Sequence, residues 1–75
     1  MAFSLILDFV HHANTRIAVQ VQRKDGEMRC GYFDPVTDRL TPIEDLGPFV
    51  SPNDALRATK RWVTAWAQRN LGDPP

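Results

Sequence analysis

The chain has 75 residues, and its nine basic and nine acidic side chains cancel to a net charge of zero. This length fits one small domain with a thin core, and the neutral balance argues against the bulk electrostatic attraction that drives non-specific binding to nucleic acid. The single cysteine, Cys30, excludes an intramolecular disulfide framework and fits a reducing, cytoplasmic location.

The N-terminal segment has the alternation of an extended strand, and both of its faces are largely apolar. One face carries Phe3, Leu5, Leu7 and Phe9, and the other carries Ser4, Ile6, Asp8 and Val10. This pattern predicts a strand over residues 3–10. It is either a central strand or an end strand whose outer face meets the helix or a partner. The apolar run is too short to cross a bilayer, so we expect no membrane span.

The next two elements form a predicted hairpin. Residues 11–14 read as a turn in which Asn14 takes a left-handed conformation, and residues 16–23 have the period of a half-buried strand. The pair Asp25-Gly26 is a strong hairpin signal, and it leads into a strand over residues 27–33. This third strand should turn Met28, Cys30 and Tyr32 inward.

The segment after the hairpin is less regular. Residues 34–38 form a second turn, in which Pro35 presets the backbone. Pro42 lies within residues 39–46, and proline is confined to the edges of sheets. We therefore predict a short edge strand or an irregular crossing within this span.

The C-terminal segment has clear helix signals. Ser51 suits the N-cap, Pro52 the first helical position, and Asp54 complements the helix dipole. Gly72 closes the helix, which gives a predicted span of residues 52–70. One arc should face the sheet and contains Ala55, Leu56, Thr59, Trp62, Val63 and Trp66. The predicted class is α+β, a small antiparallel meander of three to four strands covered on one face by a single C-terminal helix.

Two polar surfaces are candidate binding sites. The basic helix face could contact an acidic protein or phosphates, and its residues are Arg57, Lys60, Arg61, Gln68 and Arg69. The outer sheet face mixes donors, amides and one aromatic ring, and it could meet protein or DNA. Its residues are Arg16, Gln20, Gln22, Arg29 and Phe33.

No group of residues forms a specific catalytic, cofactor or metal motif. His11 and His12 are adjacent, so on a strand or turn they point in different directions, and no second spaced pair completes a metal site. Cys30 lies on the predicted inward face, where a thiol is inert. We therefore expect no enzyme activity, no cofactor and no metal.

Two parts of the chain resemble known families. The segment from Gly47 to Ala55 is similar to the strand-to-helix junction of sporulation-related repeat domains, which bind peptidoglycan. That likeness covers the junction alone, and no glycan function is carried over. The plan of three strands followed by one helix, over residues 16–70, resembles the arm-site DNA-binding domains of tyrosine recombinases. In those domains the sheet enters the major groove, so this resemblance implies DNA binding through the sheet.

These features predict a non-enzymatic protein-binding module, a small regulator or inhibitor that covers a surface of a larger protein partner. In general character it is similar to small phage-encoded antagonists of bacterial defence, including anti-CRISPR proteins, although no motif carries that likeness. The alternative is a duplex-DNA-binding module that uses the outer sheet face and the basic helix face. A third hypothesis is a homodimer paired through the N-terminal strand or the Trp66 end of the helix.

Overall fold

Four antiparallel strands lie side by side in the order in which they occur in the chain. A computed structural model describes residues 3–72, and its elements are β1 (Phe3–His12), β2 (Thr15–Lys24), β3 (Glu27–Asp34), β4 (Arg39–Ile43) and α1 (Pro52–Asn70). The helix packs on one face of the sheet, against β1, β2 and β3. The predicted α+β meander with a single covering helix is confirmed.

The position of β1 resolves the two alternatives left by its sequence. Among the described residues β1 pairs with β2 alone, so it is an end strand, and the central-strand alternative is wrong. Its register places Val10 opposite Ile17 and Ile6 opposite Val21. The row that begins with Phe3 therefore faces away from the helix, on the open side of the sheet.

The turn between β1 and β2 differs from the prediction in one residue. Ala13 has the positive backbone angle, with φ of 54°, and Asn14 does not. A two-residue hairpin loop of either favoured type requires a positive φ at its first position, and the pairing of His12 with Thr15 makes Ala13 that residue. The turn from β2 to β3 matches its prediction, because Asp25 and Gly26 both have positive φ.

The strain at Ala13 gives a first stability prediction. Ala13→Gly should raise the free energy of unfolding by about 0.5–1 kcal/mol. An L-residue in the left-handed region costs about 1–2 kcal/mol, which glycine avoids. Part of this gain is lost because glycine increases the conformational entropy of the unfolded chain. The matched control is Asn14→Gly, which relieves no positive φ and should not stabilise. Urea unfolding of the two variants measures the difference in stability. Equal unfolding midpoints would contradict the assigned turn.

The core lies between the inner face of the sheet and one stripe of the helix. Ile17, Val19 and Val21 of β2 are buried beneath α1. The helix contributes a stripe at every fourth residue, namely Ala55, Thr59, Val63 and Ala67, all of them fully buried. Small side chains at both ends of this stripe let the helix backbone approach the sheet closely. The hydroxyl of Thr59 donates to the carbonyl of Ala55 at 2.7 Å, so its burial leaves no unpaired donor.

Both ends of the helix are held by side chains. The hydroxyl of Ser51 accepts a hydrogen bond from the backbone N–H of Asp54 at 3.2 Å, which confirms the predicted N-cap. At the other end, Nε2 of His12 hydrogen-bonds to the carbonyl of Gly72, which has a φ of 74°. This contact fixes the helix end to the last residue of β1.

Candidate functional site

The outer sheet face is one continuous surface on the side opposite the helix. Alternation along each strand and the register between strands place all of the predicted sheet-face residues on it. Gln22 lies between Leu5 of β1 and Arg29 of β3, and Gln20 lies between Leu7 and Gly31. The predicted grouping of Arg16, Gln20, Gln22, Arg29 and Phe33 is thus a spatial neighbourhood, and their role in binding stays a prediction.

Strand β1 adds an apolar row to this surface. The row, here called the β1 row, consists of Phe3, Leu5, Leu7 and Phe9, with exposed fractions of 60%, 47%, 65% and 41%. Exposed Phe33 of β3 is paired with exposed Leu40 of β4 at the far side of the sheet. The β1 row is a contiguous apolar strip along one strand, and contiguous apolar surface marks an interaction site more often than scattered single residues do.

The β1 row is a candidate binding feature that the sequence prediction of binding residues omitted. Its apolar alternation was visible in the sequence, but the same pattern is satisfied by a central strand with both faces covered. The β1 row could have been predicted by combining the two apolar faces of this strand with the prediction of a single helix. One helix can cover one face of a sheet, so the second apolar face of β1 has no cover within residues 3–72.

The two arginines of the outer sheet face make contacts within the chain. The guanidinium carbon of Arg16 lies 4.4 Å from the ring centroid of Phe9, a cation–π contact. Nη2 of Arg29 is 3.2 Å from Oε2 of Glu27, and both side chains are largely exposed. These contacts reduce the free positive charge on this face, while the apolar side chains remain uncovered.

The basic helix face lies on the opposite side of the molecule. Arg57, Arg61, Gln68 and Arg69 are exposed, and an open depression is lined by Arg57, Lys60, Arg61, Thr64, Ala65 and Gln68. Because α1 separates this face from the sheet, its arginines do not merge with Arg16 or Arg29 into one patch.

Lys60 differs from its neighbours on the basic helix face. Its Nζ donates to Oδ2 of Asp8 on β1 at 3.1 Å, and each side chain is about 40% exposed. The other carboxylate oxygen of Asp8 accepts from the backbone N–H of Phe9 at 2.7 Å. The hydrogen bond from Phe9, followed by that from Lys60, lowers the pKa of Asp8 from its ordinary value. Lys60 therefore joins the helix to β1. The cations of this face that point into solvent are the arginines.

The side chains that could take part in catalysis or bind a metal lie apart from one another. Cys30 is buried on the inner face of the sheet, and His12 bonds the helix end. Over residues 3–72, no cluster of three or more His, Cys, Asp or Glu side chains could hold a metal ion. The described part of the chain also contains no helix with the length and apolar composition needed to span a bilayer.

Comparisons with known proteins return nothing similar. No protein-family model matches the chain, and neither a curated protein nor a solved structure matches it.

Proposed function

We propose that the chain is a non-enzymatic protein-binding module, a small regulator or inhibitor that covers a surface of a larger protein partner through its outer sheet face. The observation that carries this proposal is the uncovered apolar surface formed by the β1 row together with Phe33 and Leu40. Aromatic residues and arginine are enriched at protein interfaces, whereas lysine is depleted. The outer sheet face carries Phe3, Phe9 and Phe33 with Arg16 and Arg29, and its lysine, Lys24, lies at one end.

The size of the outer sheet face supports a protein partner. Four strands spaced by about 4.8 Å, and up to ten residues long at about 3.3 Å each, give a flat area of roughly 500 Å². A standard protein interface buries about 800 Å² on each partner. The sheet face alone provides more than half of this area, so an interface of standard size would also include the adjoining turns. The apolar residues would supply anchors, and Gln20 and Gln22 beside them can form oriented hydrogen bonds.

The alternative is a duplex-DNA-binding module, which the exposed arginines of the basic helix face would favour. That face and the outer sheet face point in opposite directions, so one duplex cannot contact both. Of the three cations on the sheet face, Arg16 contacts Phe9 and Arg29 contacts Glu27. The third, Lys24, lies opposite Glu27 at the end of the face. DNA binding would consequently depend on the helix arginines, with an affinity that falls steeply as salt rises.

Affinity capture with matched variants tests the proposal. Phe33→Gln combined with Leu40→Gln alters the outer sheet face at exposed positions far from β1, and Arg57→Ala combined with Arg61→Ala alters the helix face without touching the Lys60–Asp8 contact. From nuclease-treated lysate of the host cell, the wild type and the helix variant should retain the same stoichiometric protein, and the sheet variant should lose it.

Direct binding of the recovered partner should show at least about a tenfold loss of affinity in the sheet variant, the scale of a single interface anchor. Loss in the helix variant alone would move the site to the basic helix face. Recovery of nucleic acid alone, with binding that weakens as salt rises, would instead establish the DNA-binding alternative.

A further inference from the structure

The two edges of the sheet differ in how their backbone groups are arranged. The two-residue turn at Ala13-Asn14 places a hydrogen bond between His12 and Thr15. Hydrogen-bonded pairs alternate along an antiparallel ladder, so the even-numbered residues of β1 bond to β2. The backbone N–H and C=O groups of Phe3, Leu5 and Leu7 therefore point to the open edge.

The edge at β4 is protected. The same alternation, carried across β3, directs the backbone groups of Leu40 and Pro42 to the open edge of β4. Proline has no N–H to donate, and β4 has only five residues. Short strands and edge prolines are the means by which proteins prevent pairing at an edge. Strand β1, in contrast, has ten residues and no proline.

Asp8 protects one residue of the β1 edge. Its carboxylate accepts the N–H of Phe9, the next odd-numbered residue, and is held in place by Lys60. This bond independently shows that the N–H of Phe9 is not used in the ladder with β2. The edge that remains open runs from Phe3 to Leu7, a segment without a charged side chain, and its midpoint is Leu5.

We propose that two copies of the chain pair edge to edge through this segment, antiparallel, with Leu5 of one copy opposite Leu5 of the other. In this register Phe3 lies opposite Leu7 of the second copy, and three pairs exchange about six backbone hydrogen bonds. The register leaves the N–H of Phe9 bonded to Asp8. Registers shifted toward the C-terminal end of β1 would have to break that bond.

The side chains of the segment are complementary to themselves. No lysine or other like charge opposes self-pairing, and the exposed apolar side chains of the β1 row would lie beside their copies on the outer face. Pairs of this kind are the unit of stabilisation in sheets. Because a two-fold pair uses both β1 edges and leaves only the protected β4 edges, the assembly closes at two copies.

The dimer is independent of the proposed docking of a larger partner, since edge pairing leaves the outer sheet face open. It joins the two four-stranded sheets into one and places two outer faces side by side. Interfaces at the small end of the size range form weak complexes, so we expect a dimer with a dissociation constant on the order of micromolar.

Sedimentation equilibrium over a concentration series tests the pairing. The wild type should approach twice the single-chain mass of 8.5 kDa at concentrations on the order of 100 µM, well above a micromolar dissociation constant. Leu5→Lys, which places two cations together at the two-fold axis, should remain at the single-chain mass. The control is Gln22→Lys, which adds the same charge on the same face at the residue paired with Leu5 in β2, and it should still dimerise. A wild type that stays at the single-chain mass, or that forms larger species, would overturn the proposal.

One introduced cysteine in each of two variants tests the register. Leu5→Cys should form a disulfide-linked dimer on mild oxidation, because residues directly opposite in a hydrogen-bonded pair have Cα atoms about 5.5 Å apart, within disulfide range. Leu7→Cys should not, because its equivalent lies four residues away along the partner strand. Buried Cys30 is common to both variants. Equal cross-linking of the two, or cross-linking of Leu7→Cys alone, would overturn the assigned register, and neither result depends on the lysate experiment.

Discussion

Tyr32→Ala should lower the free energy of unfolding by about 3–5 kcal/mol, the cost of removing a large buried aromatic side chain. Tyr32 is 4% exposed at the centre of the inner sheet face. Its ring centroid lies 5.4 Å from that of Trp62 and 4.8 Å from that of Trp66, with tilted planes in both pairs. Both tryptophans of the helix therefore pack against the Tyr32 ring. Removing the ring eliminates two aromatic contacts and the apolar surface that the ring buries.

The expected loss is large relative to the total. A chain of 75 residues has a free energy of unfolding of about 4–11 kcal/mol, so the variant should keep at most about 8 kcal/mol and unfold at a much lower urea concentration than the wild type. Urea unfolding followed by tryptophan fluorescence measures the change. The control is Phe33→Ala on the next residue, which faces solvent on the other side of the sheet and should cost about 1 kcal/mol or less. Equal losses at the two positions would contradict the assigned faces of β3.

Tyr32→Phe separates the ring from the hydroxyl. Burial, followed by the charge of Asp34, raises the pKa of Tyr32, although the polar side chain of Thr41 acts in the opposite direction. A raised pKa in the folded state means that the neutral form contributes stability below the unfolded-state pKa, and this contribution is lost as pH rises through the folded-state pKa. The phenylalanine variant should lack that alkaline loss and otherwise remain close to the wild type.

The sequence predicted local structure well where a residue has one backbone or packing role. The cap at Ser51, the turn at Asp25-Gly26 and the phase of β2 each follow from local chemistry, and each is present in the structure. The tryptophans were placed correctly on the sheet-facing arc, yet both are only half-buried. Buried contact with the sheet centre is made by the smaller side chains at every fourth position, whereas Trp62 and Trp66 lie beside them against Tyr32.

The features that sequence reasoning could not predict depend on tertiary neighbours. Whether β1 is central or terminal is decided by which strands lie beside it, and its own alternation is the same in both cases. Lys60 has the spacing of an exposed helix residue, and only its distance from Asp8, 52 positions away in the chain, shows that it holds the helix against β1. Ala13 adopts a positive φ because the strand register demands it, against its own preference.

Val63→Asp should abolish cooperative folding, with a loss of at least about 4 kcal/mol. Val63 is completely buried at the middle of the helix stripe, where it meets the branched side chains of the inner sheet face. A carboxylate there loses its hydration and gains no cation, because the nearest lysine on the helix, Lys60, is directed to Asp8. Protonation of the new carboxyl reduces the cost but still buries a polar group in an apolar site.

The matched control for this variant is Thr64→Asp, one residue further along the helix. Thr64 lies on the opposite arc, in the depression of the basic helix face, so the same new charge stays hydrated and beside cations. Its cost should be about 1 kcal/mol or less. Far-ultraviolet circular dichroism and thermal melts of the two variants compare adjacent positions that differ mainly in the direction they face. A folded Val63→Asp protein, or equal loss in both variants, would show that the helix meets the sheet through a different stripe, and the basic helix face would then have to be redefined.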